Sequence, residues 1–139
     1  MNELIVFCDG GSRGNPGKAA CAFIVKDSQG NLLFQKGYTL GIKTNNEAEY
    51  LGVLAAYKWL TEKGLSAEKI NFYLDSKLVV NQLKGLFKIK NARMAELISK
   101  IKILETSLNR RIDYFLVPRE KNYLADKLVN ETLDLLDRA

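Results

Sequence analysis

The 139-residue chain has no histidine, two cysteines and two prolines. Without histidine it lacks the commonest acid–base group active near neutral pH and the commonest ligand for transition metals. A metal held by this chain would therefore be a hard cation coordinated by oxygen. Cys8 and Cys21 each sit inside an apolar run, which reads as buried, reduced thiols rather than as a disulfide. No apolar run approaches the roughly 20 residues of a membrane span. The opening stretch "MNELIVFCDGG" has no basic leader and too short an apolar segment for a signal peptide. The expectation is a cytoplasmic protein with no membrane partner. Repeats, low-complexity tracts and linkers are also missing, so residues 1–139 read as one domain, long enough to bury a core.

What is present is ordinary in bulk. Hydrophobic residues make up 47% and charged residues 27%, and the formal net charge is +5. A modest positive charge is compatible with a polyanionic partner without demonstrating one.

Patterning gives the order of elements. "ELIVFCD" is a continuous apolar run with β-branched residues and reads as a central strand covered on both faces. "AACAFIVKD" and "LLFQKGYTL" are further strands, separated by the turn signal "SQGN", so residues 3 to 40 read as an antiparallel meander. From Thr44 the period becomes helical. Ala48, Leu51, Ala55, Trp59 and Leu60 mark one face, Asn45 or Asn46 is the expected N-cap, and Gly64 the stop. "KINFYLD" is a fourth strand and "SKLVVNQLKG" a short helix ended by Gly85. Residues 92 to 108 form a helix with Met94, Leu97, Ile101 and Leu104 on one side. "RIDYFLV" is the fifth strand, closed by Pro118, and the last helix carries Leu124, Leu128, Leu133 and Leu136. The order β-β-β-α-β-α-α-β-α predicts an α/β fold, a five-stranded mixed sheet with helices on its faces.

The stretch "FCDGGSRGNPGKAA" delivers a carboxylate to the end of a strand and follows it with glycines. A phosphate-binding loop would need G-x-x-x-x-G-K-[ST] or G-x-G-x-x-G between a strand and a helix. Gly10, Gly11, Gly14 and Gly17 fit neither spacing, and a strand follows. The carboxylate itself is the better candidate. Asp75 also ends an apolar strand, Glu49 lies in the first turns of the helix opened by "TNNEAEY", and Asp126 lies near the start of the last helix. Singly, each acid is explained by capping, helix-dipole or solvated roles. Four acids at strand ends and helix starts, with no histidine nearby, suggest a cage for Mg²⁺ or Mn²⁺.

"CDGGSRGNPG", "TNNEAEY", "LDSKLVVNQLKG" and "VPREKNYLADKLVNE", in this order and covering nearly the whole chain, resemble a type 1 ribonuclease H. The resemblance implies the ribonuclease H-like fold and makes Asp9, Glu49, Asp75 and Asp126 the catalytic, metal-binding carboxylates, with Glu49 rather than Glu47 as the ligand on its helix. It places Asp9 and Asp75 on adjacent parallel strands, with the glycines beside Asp9 admitting a nucleic-acid backbone. The implied activity is hydrolysis of the RNA strand of RNA–DNA hybrids with two cations, Mg²⁺ or Mn²⁺, leaving 5′-phosphate and 3′-hydroxyl ends.

Strand choice must rest on the 2′-hydroxyl, and amides can both donate to it and accept from it. The resemblance places Asn15, Asn45 and Asn46 along the minor groove for this purpose, and Thr44 with Asn91 at a DNA-strand phosphate. In "KGLFKIKNAR", Lys84, Lys88, Lys90 and Arg93 surround Phe87, a charged face that beside a polyanion site becomes a phosphate track. Many family members carry a histidine before the last helix. Its nearest match here is Leu116, and Arg119, Glu120 and Lys121 are the neighbours able to contribute. The expected partner is an RNA–DNA hybrid, with duplex RNA a further candidate, and the expected state is a monomer. The alternatives are a module that binds hybrid or duplex RNA without cutting, and another nuclease of the same superfold. Retention of all four acids argues against a pure binder, which would suffer their repulsion for no gain.

Overall fold

A computed structural model describes residues 2–138. Five strands, β1 (Glu3–Gly14), β2 (Gly17–Asp27), β3 (Leu32–Lys43), β4 (Lys69–Leu74) and β5 (Arg111–Leu116), form one sheet in the order β3-β2-β1-β4-β5. The first three are antiparallel, while β4 and β5 run parallel to β1. Helices α1 (Asn45–Lys63), α2 (Lys77–Leu83), α3 (Ala92–Leu108) and α4 (Tyr123–Arg138) complete the chain, with a 3-10 turn, Arg119–Asn122, leading into α4. Among the described residues, no helix is long and apolar enough to cross a membrane.

The glycine stretch is not a loop. β1 continues through it, pairing Gly10 with Cys21, Gly11 with Ala20 and Gly14 with Gly17. At Gly10 the requirement for glycine comes from packing: a Cβ there would lie 2.2 Å from the carbonyl carbon of Ala48. Gly52 makes the reciprocal approach, where a Cβ would come 2.7 Å from the carbonyl oxygen of Asp9. These glycines bring the backbone of α1 onto β1 beside Asp9. Gly10 and Gly11 also line an open cleft beside Asp9, and a Cβ at Gly11 would meet nothing closer than 3.9 Å.

β1 is central, but β2 is the strand covered on both faces, being buried without interruption from Ala19 to Val25. In β1 burial alternates, with Leu4, Val6 and Cys8 in the core and Ile5 and Phe7 only half-buried. The reason is the seat of α4, whose Val129 and Leu133 pack on Ala20 and Ala22 of β2. The buried stripe of α4 is accordingly Ala125, Val129 and Leu133, and Leu124 is exposed. Helix α1 lies between the sheet and α3. It buries Tyr50, Val53, Leu54, Ala56 and Tyr57 as well as Ala48 and Leu60, leaving Leu51, Ala55 and Trp59 half-buried. A helix enclosed on two sides has no single apolar stripe for periodicity to detect.

The N-cap of α1 is Thr44, not Asn45 or Asn46. Its hydroxyl accepts the Glu47 N–H at 3.1 Å, and the Glu47 carboxylate accepts the Thr44 N–H at 3.1 Å. This capping box occupies Thr44 and Glu47 and leaves both asparagine side chains free of capping work. Gly64 ends the helix in the left-handed region as expected. Cys8 and Cys21 are buried free thiols.

Candidate active site

The parallel pairing of β1 with β4 runs to Phe7 opposite Tyr73. Asp9 and Asp75 each lie two positions beyond that pair, so the register sets them side by side where the two strands end their pairing. Open α/β sheets build their sites at such strand ends. Glu49 arrives from the start of α1 and Asp126 from the first turn of α4. All four acids line one open cleft of about 1120 Å³.

The electrostatics record their proximity. Burial pushes the Asp9 carboxyl up to about 8, the charge of Asp75 adds to it, and Asp126 and Glu49 add less, against an opposing hydrogen bond from the Gly10 N–H. Burial likewise lifts Glu49 to about 7, with Asp75 contributing, while the Ser76 hydroxyl and Arg119 pull it down. Glu47 differs from Glu49. Burial disfavours its charge, but the Thr44 N–H and Arg93 outweigh that effect and hold it below the ordinary value. Its Oε2 accepts from Arg93 Nε at 3.2 Å, so Glu47 is engaged at the helix cap.

Among the described residues, no three acids are already drawn in around one point. Burial and then the charge of Asp75 nonetheless raise the proton affinity of Asp9 and Glu49, as happens to uncompensated carboxylates that share a small volume. The donor set is all oxygen and its excess charge is negative. Both properties fit a hard divalent cation such as Mg²⁺ or Mn²⁺.

Asn15, Thr44, Asn45, Asn46, Lys88, Lys90 and Asn91 line the same cleft. Several of their side chains are already oriented. Asn45 Oδ1 accepts the Ser12 N–H at 2.8 Å and the Ser12 hydroxyl at 3.0 Å. Asn15 Oδ1 accepts the Asn45 N–H at 3.0 Å. Asn91 Oδ1 caps α3, accepting from Arg93 N at 2.8 Å and Met94 N at 3.2 Å. In each case the oxygen is engaged and the NH₂ end remains, so these amides are set to donate rather than to do both. Lys88 is held through its backbone, its carbonyl accepting from Gln82 Nε2 at 3.3 Å.

Leu116, the nearest match to the family's histidine, is 49% exposed at the end of β5 and lies outside the cleft. Arg119 lines the cleft. Ser12 and Asn122 are the residues that sequence reasoning missed. Asn122 donates from Nδ2 to the Cys8 carbonyl at 2.9 Å and to Asp75 Oδ2 at 3.1 Å. The only signal in the sequence was an asparagine one helical turn before Asp126.

The reverse-transcriptase-like family model matches residues 7–132. A bifunctional protein of Mycobacterium tuberculosis is 35% identical over 133 residues, which are 95% of this chain and 36% of that protein. Ribonuclease HI of Halobacterium salinarum is 35% identical over 130 residues, 92% of this chain and 63% of the relative. The chain thus spans about a third of the mycobacterial protein and less than two thirds of the halobacterial one. Among solved structures, an RNase H1 isolated from compost matches with a TM-score of 0.92 and 36% identity over 98% of this chain and 99% of the other. The same enzyme in complex with an RNA/DNA hybrid matches with a TM-score of 0.88 and 35% identity, covering 92% of this chain and 94% of the other.

Proposed function

The chain belongs to the type 1 ribonuclease H family, and we propose that it is an endonuclease hydrolysing the RNA strand of RNA–DNA hybrids with two divalent cations, Mg²⁺ or Mn²⁺. The observation that carries this reading is the meeting of Asp9, Glu49, Asp75 and Asp126 in one cleft bordered by donor amides.

In this reading the four carboxylates hold the cations, and the raised proton affinity of Asp9 and Glu49 is the apo-state counterpart of that task. Bound cations supply charge neutralisation at the phosphoryl oxygens, an activated water and support for the leaving 3′-oxygen. Water adds to phosphorus, the P–O3′ bond breaks, and the products carry a 5′-phosphate and a 3′-hydroxyl. Asn15 and Asn45 donate to the 2′-oxygen of the RNA strand from the NH₂ ends their hydrogen bonds leave free, and Asn46 borders the same groove. DNA offers no oxygen there. Thr44 and Asn91 sit at the starts of α1 and α3, where helix N-termini favour a DNA-strand phosphate. Lys88 and Lys90 continue the phosphate track. Arg119 supplies a permanent positive charge near Glu49 on the segment where Leu116 offers none.

The test is incubation of the full chain with end-labelled RNA–DNA hybrid, duplex DNA and duplex RNA, each with Mg²⁺, Mn²⁺ or EDTA. Cation-dependent cutting confined to the RNA strand of the hybrid supports the reading. No cutting with either cation, or equal cutting of duplex DNA, refutes it.

A further inference from the structure

Asn122 is the most enclosed polar residue of the core, with 1% of its surface exposed. It ends the 3-10 turn and immediately precedes α4. Its two acceptors, the Cys8 carbonyl and the Asp75 carboxylate, can take hydrogen bonds but give none. Only the NH₂ end of the amide serves both, which fixes its orientation. One side chain therefore grips the backbone one residue before Asp9 and the carboxylate of Asp75, and stands one helical turn before Asp126. Its own Oδ1 is buried with no partner.

That unmet oxygen is informative. Burying an amide with part of its hydrogen-bonding capacity unused is unfavourable, and a leucine would fill the same volume without that cost. The amide is thus accounted for by what its donors do. We propose that Asn122 is a positioning residue of the metal site, holding Asp75 in its ligating orientation and locking it to the strand that carries Asp9. The proposal rests on the metal-site reading given above. An aspartate free to rotate about its side-chain torsions must be ordered when the cation binds, whereas one already held by a neighbour need not be. Partners that orient a ligand in this way typically affect metal affinity by 10- to 100-fold.

The test is calorimetric titration of Mn²⁺ into the full chain without nucleic acid, for the parent, Asn122→Ala and Asn122→Leu, with circular dichroism melting as the folding check. Positioning predicts a Kd for Mn²⁺ weaker by roughly 10- to 100-fold in both variants. A role confined to tying β1 to α4 predicts lower melting temperatures with an unchanged Kd, and that outcome overturns the proposal. Should neither variant fold, the side-chain amide resonances of Asn122 in the parent decide. They shift in step with Mg²⁺ saturation if Asn122 holds a ligand, and resonances that stay fixed across the titration overturn the proposal. A parent that binds no Mn²⁺ refutes the metal-site reading itself, so the two failures are distinguishable.

Discussion

Replacing Asp9 with asparagine separates the two demands on this site, because it removes a charge proposed to hold the cation and also the cost of burying it. The Asp9 carboxyl is displaced from an ordinary 3.8 to about 8, first by burial and then by Asp75. Between those two values the unfolded chain loses the proton before the folded chain does. Stability without metal therefore falls as pH rises through this window and levels off above it. Each tenfold step in proton concentration is worth ~1.4 kcal/mol. At pH 7, about three such steps above the unfolded value, taking up the proton at Asp9 on folding costs ~4 kcal/mol. Asp9→Asn should recover up to that amount. For a chain of this size the gain is on the order of 10 °C in Tm. The assay is thermal melting in EDTA from pH 4 to pH 8, with a parallel series in Mg²⁺ and a hybrid-cleavage assay. The variant should melt above the parent at pH 7 to 8, the gap should close toward pH 4, and Mg²⁺ should raise the parent more than the variant. Cleavage should be lost. A variant that melts below the parent in EDTA at neutral pH, or a gap independent of pH, refutes the electrostatic account, and efficient cleavage by Asp9→Asn refutes the site.

Changing Asn15, Asn45 and Asn46 together to alanine should lower kcat/KM on hybrids by roughly 100-fold, at about 1 kcal/mol per lost hydrogen bond, with circular dichroism unchanged; parent-like kcat/KM would assign 2′-hydroxyl reading elsewhere. Lys88→Ala with Lys90→Ala should reduce the slope of log KM against log salt by about two, since each phosphate contact contributes close to one. Arg119 pulls the Glu49 carboxyl down, so Arg119→Ala should raise it further and move the acidic limb of the pH–rate profile to higher pH at limiting Mg²⁺. Gly10→Ala should cost about 3 kcal/mol or more in a urea melt, because its Cβ would lie 2.2 Å from the backbone of Ala48.

Much of this was legible from residue order. The runs and turn signals marked five strands and four helices in the order observed, because hydrophobic periodicity and the stops at Gly64 and Pro118 are local properties. That the four acids share one cleft was legible because each sits at or near a boundary between elements. What was hidden depends on partners far away in sequence. Gly10 read only as room beside Asp9, since nothing near it in sequence announces the helix backbone it meets at Ala48. Asn45 looked like a cap, and the T-x-x-E signature that makes Thr44 the cap lay one residue earlier. The donor-only state of Asn45 depends on Ser12, 33 positions away, and that of Asn15 on the Asn45 N–H. The buried side of α4 followed from its seat on Ala20 and Ala22 rather than from its leucines.

The same contacts explain why the acids are costly to the fold and yet firmly placed. Helix α1 cannot rise from β1 without opening the approaches at Gly10 and Gly52, and it carries Glu49 between them. Farther along, the helix is tied to the sheet by Tyr57, whose ring stacks on Phe72 of β4 and whose hydroxyl meets that of Tyr114 on β5 at 2.5 Å within the core. Burial first, and then repulsion from Asp75, lifts Asp9 to about 8, and that repulsion has little backbone freedom through which to relax. A site able to spread would lower its proton affinity by moving apart and would reorganise when a cation arrived. Held by the glycine contacts and by Asn122, this one instead takes up protons at Asp9 and Glu49 in the absence of metal. In the proposed reading a divalent cation would displace those protons, and with the backbone already held the carboxylate side chains need only turn in around it.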